Sequence, residues 1–156
     1  VVSLLRTRLE PGRRPIALRG SSLGGYLAIV AAAHVDVDAV VAICPAGNEG
    51  LRRGLLAGRF TFAANQSSLA AFLSEHDLFA AVHSLRVPLL LLHAEGDEQV
   101  PVEHSRELSR QTRHAQSRLI TVPGGHHRSV QHDPELQAVS LRWLGRVMGE
   151  AECSGP

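Results

Sequence analysis

The sequence predicts an α/β fold, a three-layer sandwich built on a mostly parallel sheet. Three observations predict it. Short apolar runs alternate with helix-like segments along the chain. The strongest run, Val87–His93 (VPLLLLH), is apolar without alternation, as expected of a strand covered on both faces. The residue types that carry chemistry cluster just past the ends of such runs, where parallel sheets bind their ligands.

Each element follows in order. Val1–Leu9 reads as the end of a helix, broken by Pro11-Gly12. Ile16–Arg19 is a short buried strand entering Gly20-Ser21. Leu23–Ala33 is rich in Ala and Leu and reads as a helix. Ala39–Cys44 (AVVAIC) is a second strand, stopped by Pro45. Residues 46–84 differ in texture: Gly47, Gly50, Gly54 and Gly58 come first, then helix-like stretches at Ser67–Glu75 and Asp77–Ser84, with no strong strand. This segment is read as a small helical lid inserted in one domain that spans residues 1–156. Val87–His93 is the third strand and Glu103–Gln111 an amphipathic helix. Arg118–Val122 is the fourth strand, ended by Pro123-Gly124-Gly125, and Pro134–Met148 is the last helix.

Composition narrows the function classes. With 44% apolar and 20% charged residues, the chain can bury a core and is not of disordered type. A net charge of +1 gives no reason to expect nucleic acid as a partner. All 16 basic residues are arginine, which removes Schiff-base, P-loop-lysine and Ser–Lys chemistry. Cys44 and Cys153 lie too far apart in sequence to suggest a disulfide framework, so a reducing cytoplasm is expected. No apolar run has the ~20 residues of a membrane span, and VVSLLRTRLEPGRR is too short and charged in its apolar part for a signal peptide.

The first chemical motif is Gly20-Ser21-Ser22-Leu23-Gly24, a G-x-S-x-G between a strand and a helix. Ser22 then sits on a sharp turn with its hydroxyl above the sheet. Flanking glycines let the neighbouring backbone approach. The helix that starts there offers its positive end and the Leu23 N–H to a developing oxyanion. Ser21 is the rival nucleophile, but it has no glycine two residues before it. Asp97, in a loop closed by Val100-Pro101, is the candidate acid, with Glu95 and Asp133 as weaker rivals. His126, directly after the Gly124-Gly125 turn, is the candidate base, with its neighbour His127 as the alternative.

These stretches resemble the α/β-hydrolase family. Ala17–Ala33 (ALRGSSLGGYLAIVAAA) is similar to its nucleophile elbow and following helix, His93–Pro101 (HAEGDEQVP) to its acid loop, and Val122–His127 (VPGGHH) to its histidine loop. The resemblance spans Ile16 to Met148 and points to lidded bacterial esterases and serine-aminopeptidase-like hydrolases. It implies a serine hydrolase that cleaves an ester or amide acyl bond in a small-molecule or peptide substrate, without cofactor or metal. The preference for His126 over His127 is also what the resemblance implies. Family members carry a first half before the elbow, with a second oxyanion donor; here the elbow arrives at residue 22. The expectation is therefore a truncated α/β-hydrolase fold whose elbow strand is an exposed edge open to dimerisation. The alternative is a catalytically weak remnant acting as a binding module.

Other residues are given plainer roles. His126, His127, His132 and Asp133 cluster, but without metal-ligand spacing such as His-Glu-x-x-His. His93 reads as a supporting residue and Cys44 as a small buried hydrophobe. Arg52, Arg53 and Arg59 read as a solvated lid face rather than a docking site for an acidic substrate. Phe60, Phe62, Phe72 and Phe79 are candidates for either an acyl pocket or lid packing.

Overall fold

The computed structural model describes residues 2–8, 14–60 and 65–152. Four strands, β1 (Ala17–Ser21), β2 (Ala39–Ile43), β3 (Leu89–Ala94) and β4 (Arg118–Val122), form one sheet in the order β1-β2-β3-β4. Every pairing is parallel, with Ala17 opposite Ala39, Val40 opposite Leu89 and Leu90 opposite Arg118. A parallel pair cannot close through a hairpin, so each connection crosses over through helix.

The two central strands explain their own composition. Every residue of β2 and β3 is buried. Val40, Ala42, Leu89 and Leu91 face one core cluster, which holds Tyr26, Ile29, Leu78, Val82 and Leu108. Ala39, Val41, Ile43, Leu90 and Leu92 face the other, against Val130, Trp143, Leu144 and Val147. Side chains alternate across a strand, so two apolar layers require an unbroken apolar run. The layers are α2 (Leu23–Ala32), α5 (Leu78–Ser84) and α6 (Val102–Gln111) on one side, and α7 (Ser129–His132) and α8 (Pro134–Glu152) on the other.

Residues between β2 and β3 form α3 (Asn48–Leu56), α4 (Gln66–Glu75) and α5. The glycines at 50 and 54 conceal α3 from a propensity reading, because each costs ~1 kcal/mol against alanine in a helix. Asn48 ties the three helices together. Its Nδ2 donates to the carbonyls of Leu73 and His76, and its Oδ1 accepts from the Leu78 N–H. Leu78 and Val82 are fully buried, so α5 belongs to the layer that covers the sheet. The short helix α1 (Val2–Arg8) precedes β1 in the chain. Pro11-Gly12, Phe62 and Cys153 fall outside the described residues. Among the described residues no helix is long and apolar enough to cross a membrane.

Candidate active site

β1 ends at Ser21 and α2 begins at Leu23, so Ser22 is the whole turn. Its backbone is at φ 54, ψ −119, a conformation that L-residues avoid. Three backbone bonds hold it there: the Ser22 N–H donates to Ile43, and the Ser22 carbonyl accepts from Tyr26 and Ala46. A Cβ on Gly20 would lie 2.0 Å from the Gly24 carbonyl oxygen, so only glycine fits there. A Cβ on Gly24 would meet nothing, whereas one on Gly25 would press on Pro45 at 3.2 Å. The close approaches in this elbow are thus made at Gly20 and Gly25. The Ser22 side chain caps no helix N–H, and the first N–H groups of α2, Leu23 among them, have no intrahelical acceptor.

Asp97 follows β3 and is buried. Its Oδ1 accepts from the Gln99 and Val100 N–H groups, both at 2.9 Å. Its Oδ2 lies 2.7 Å from Nδ1 of His127. Burial pushes the Asp97 carboxyl up, but the Val100 N–H, the His127 ring and the Gln99 N–H outweigh burial and hold it below the usual carboxylate range. An ionised carboxylate only accepts, so Nδ1 of His127 carries the proton and Nε2 is left as a base.

The ring that meets Asp97 is therefore that of His127 and not that of His126, the position favoured from the sequence. The Gly124-Gly125 turn runs through two left-handed residues, at φ 64 and φ 75. His126 then points outward: it is exposed, its N–H donates to Ser129 Oγ, and its Nδ1 accepts from the Arg128 N–H. The chain needs one more residue to turn inward. His127 is buried, and its N–H reaches Glu98 Oε2 at 3.4 Å.

The loops that carry Asp97 and His127 dock through their backbones. The Glu95 N–H donates to Val122, and the Gly96 N–H to Gly124. A Cβ on Gly96 would lie 2.5 Å from the Gly125 oxygen. Gly96 was missed in the sequence; its signal was a glycine directly before Asp97. His93 lies behind Asp97 and is fully buried. Its Nε2 is 2.9 Å from the Val100 carbonyl and 3.3 Å from Asp97 Oδ2, so Nε2 bears the hydrogen and Nδ1 accepts from Ser105 Oγ at 2.7 Å. Burial draws its pKa down and keeps it neutral.

Ser22, Leu23 and His127 line one cavity of about 1060 Å³. Leu51, Phe60, Phe79 and Val100 supply apolar wall, and Arg53 and Arg59 supply charge. Phe72 instead stacks on His76 with ring centroids 4.2 Å apart, away from the cavity lining. Glu95 pairs with Arg106 at 3.1 Å, and Asp133 caps α8 through the Glu135 and Leu136 N–H groups. Neither rival acid meets the histidine. Among the described residues, the metal-ligand types that converge are Cys44, Asp97 and His127, rather than His126, His132 and Asp133.

The comparisons agree with this architecture. The esterase domain of a Rhodothermus marinus protein superposes with a TM-score of 0.73 at 23% identity, covering 93% of this chain and 65% of that one. An esterase from Pyrococcus furiosus gives 0.66 at 21%, with 94% and 59% covered. A puromycin-hydrolysing peptidase from Mycobacterium tuberculosis gives 0.65 at 19%, with 94% and 24% covered. The chain thus spans about two thirds or less of these structures, and at such identities they share its α/β-hydrolase fold. No curated protein sequence matches it. The model of the prolyl oligopeptidase family matches residues 11–151, and the chain belongs to that family.

Proposed function

We propose that this protein hydrolyses an ester or amide acyl bond through an acyl-enzyme on Ser22. The observation that carries the reading is the buried 2.7 Å contact between Asp97 Oδ2 and His127 Nδ1, on the wall of the cavity that Ser22 also lines. In this reading His127 Nε2 takes the Ser22 hydroxyl proton as Oγ attacks the acyl carbon. Asp97 fixes the tautomer and stabilises the imidazolium. The Leu23 N–H, at the positive end of α2, receives the oxyanion. The imidazolium then returns its proton to the leaving alcohol or amine. Water, deprotonated by the same nitrogen, releases the acid.

An ester is the substrate class to try first. Its leaving group departs more readily than an amine and asks less of the oxyanion site. The apolar wall of Leu51, Phe60 and Phe79 suits the acyl part. The lid role falls to α3 with Arg59 and Phe60, which line the cavity, while α5 gives Phe79 to the cavity wall and Leu78 and Val82 to the core. The test is labelling with a fluorophosphonate, with the adduct located by mass. Labelling on Ser22 that disappears in Ser22→Ala, together with turnover of short acyl esters, supports the reading. A folded chain that stays unlabelled refutes it, and cleavage of peptide amides without esters refutes the substrate assignment.

A further inference from the structure

Cys44 directly follows β2 beside the site and has two unusual properties. Its backbone is at φ 42, in the left-handed region, although it is not glycine. It is also completely buried. Strain of this kind costs ~1–3 kcal/mol and persists only where the surroundings enforce it. Here the Cys44 N–H donates to Leu92 at 2.8 Å, and Pro45 follows directly. Its Sγ, an Asp97 carboxylate oxygen and a His127 ring nitrogen lie within 4.8 Å of one another.

We propose that Cys44 is a positioning residue: its thiol donates to the Asp97 carboxylate and keeps Oδ2 aligned on His127 Nδ1. The inference rests on the reading of Asp97 and His127 as acid and base. A carboxylate has about four acceptor positions. Gln99 and Val100 fill those of Oδ1, while His127 takes Oδ2 with His93 more distantly placed. The thiol is the remaining buried donor. Burial, joined by the charge of Asp97, pushes it up to about 12, so it stays protonated and able to donate. The titratable groups facing the carboxylate are then His93, His127 and Cys44, with Glu98 at the cavity side.

Packing and donation make opposite demands at this position. A small apolar residue satisfies packing, so alanine would serve at least as well as serine. Only serine preserves a donor. The experiment therefore compares Cys44→Ala with Cys44→Ser by two readouts: the rate of fluorophosphonate labelling on Ser22, and the far-downfield proton resonance of His127 Nδ1–H. Cys44→Ala is expected to slow labelling about tenfold, the lower range for a hydrogen bond to a charged acceptor, and to shift or broaden the resonance. Cys44→Ser is expected to stay within about threefold of the native rate, with the resonance retained. Should the alanine chain lose its fold, Cys44→Gly, which relieves the left-handed strain, takes its place. Native labelling and an unmoved resonance in the donor-less variant overturn the inference while leaving the proposed reaction intact, as does serine performing worse than alanine. If the native chain does not label, the reaction falls, and the resonance alone decides the role of Cys44.

Discussion

Replacing each member of the His126-His127 doublet in turn separates the proposed base from its neighbour. His127→Ala removes the ring that meets Asp97 at 2.7 Å. In a serine-histidine-acid site the histidine and serine act as one unit, and loss of either lowers turnover by about 10⁴–10⁶, or roughly 5.5–8 kcal/mol of transition-state stabilisation. Stability changes far less. Asp97 keeps its two backbone donors, so the cost of a lost buried partner is ~1–3 kcal/mol, within the 5–15 kcal/mol typical of a domain. His126→Ala removes an exposed ring whose polar contact is the Arg128 N–H at 3.3 Å. Such a change is worth about ±0.5 kcal/mol, or about a factor of two in rate. The assay is the second-order rate of fluorophosphonate labelling, with circular dichroism to verify folding. A fall of about 10⁴ or more for His127→Ala beside a near-native His126→Ala is expected. Equal losses, or a greater loss for His126→Ala, would refute the assignment.

Other perturbations test the scaffold and its charges. Gly20→Ala puts a Cβ 2.0 Å from backbone at Gly24; because that neighbour cannot swing aside, a loss above ~3 kcal/mol or a misfolded elbow is expected in urea unfolding. Gly96→Ala forces the acid loop off the Gly125 carbonyl and should cut labelling at least tenfold even where the chain stays folded; native labelling would show that the loops need not touch. His93 and His104 have folded-state pKa values drawn down by burial. The unfolded chain therefore takes up protons first, and stability must fall as pH drops below about 6.5. Asp97, also depressed, contributes stability above its unfolded value of about 3.9 that is lost at still lower pH. Thermal melts from pH 8 to pH 3 read both, and a flat profile between pH 7 and pH 5 would contradict the buried neutral histidines.

The fold was legible where the physics is local. The unbroken apolar runs of β2 and β3 announce strands sandwiched between helices, and Leu23–Ala32 announces its helix by composition. Helix α3 was hidden because its stability is tertiary. A Cβ on Gly54 would lie 3.3 Å from the Phe60 ring, and Asn48 binds α4 and α5; neither relation shows in a window of neighbouring residues. The sharp turn at Ser22 and the loop at Asp97 were legible because both sit at strand ends marked by glycine or proline. Which ring meets Asp97 was not, since that depends on how far two left-handed glycines rotate the chain. The backbone angles decide that, and the letters Gly-Gly-His-His do not.

The site is held as one piece by backbone contacts at the end of β2. The nucleophile turn and the charged pair come from opposite halves of the sheet, on β1 for Ser22 and past β3 and β4 for Asp97 and His127. What joins them is the end of β2. The Ile43 carbonyl accepts from Ser22, and the Ala46 N–H donates back to the Ser22 carbonyl. Pro45 closes on Gly25, and the Cys44 backbone bonds to β3 while its sulfur faces Asp97. Four consecutive residues thus touch both sides of the proposed reaction. A left-handed residue at position 44 makes this possible, because an extended residue there would carry the chain onward as strand and separate Ala46 from Ser22. Strain at Cys44 and strain at Ser22 are therefore two ends of one backbone device. Relaxing the first should loosen the second, even though Cys44 makes no bond to the serine side chain.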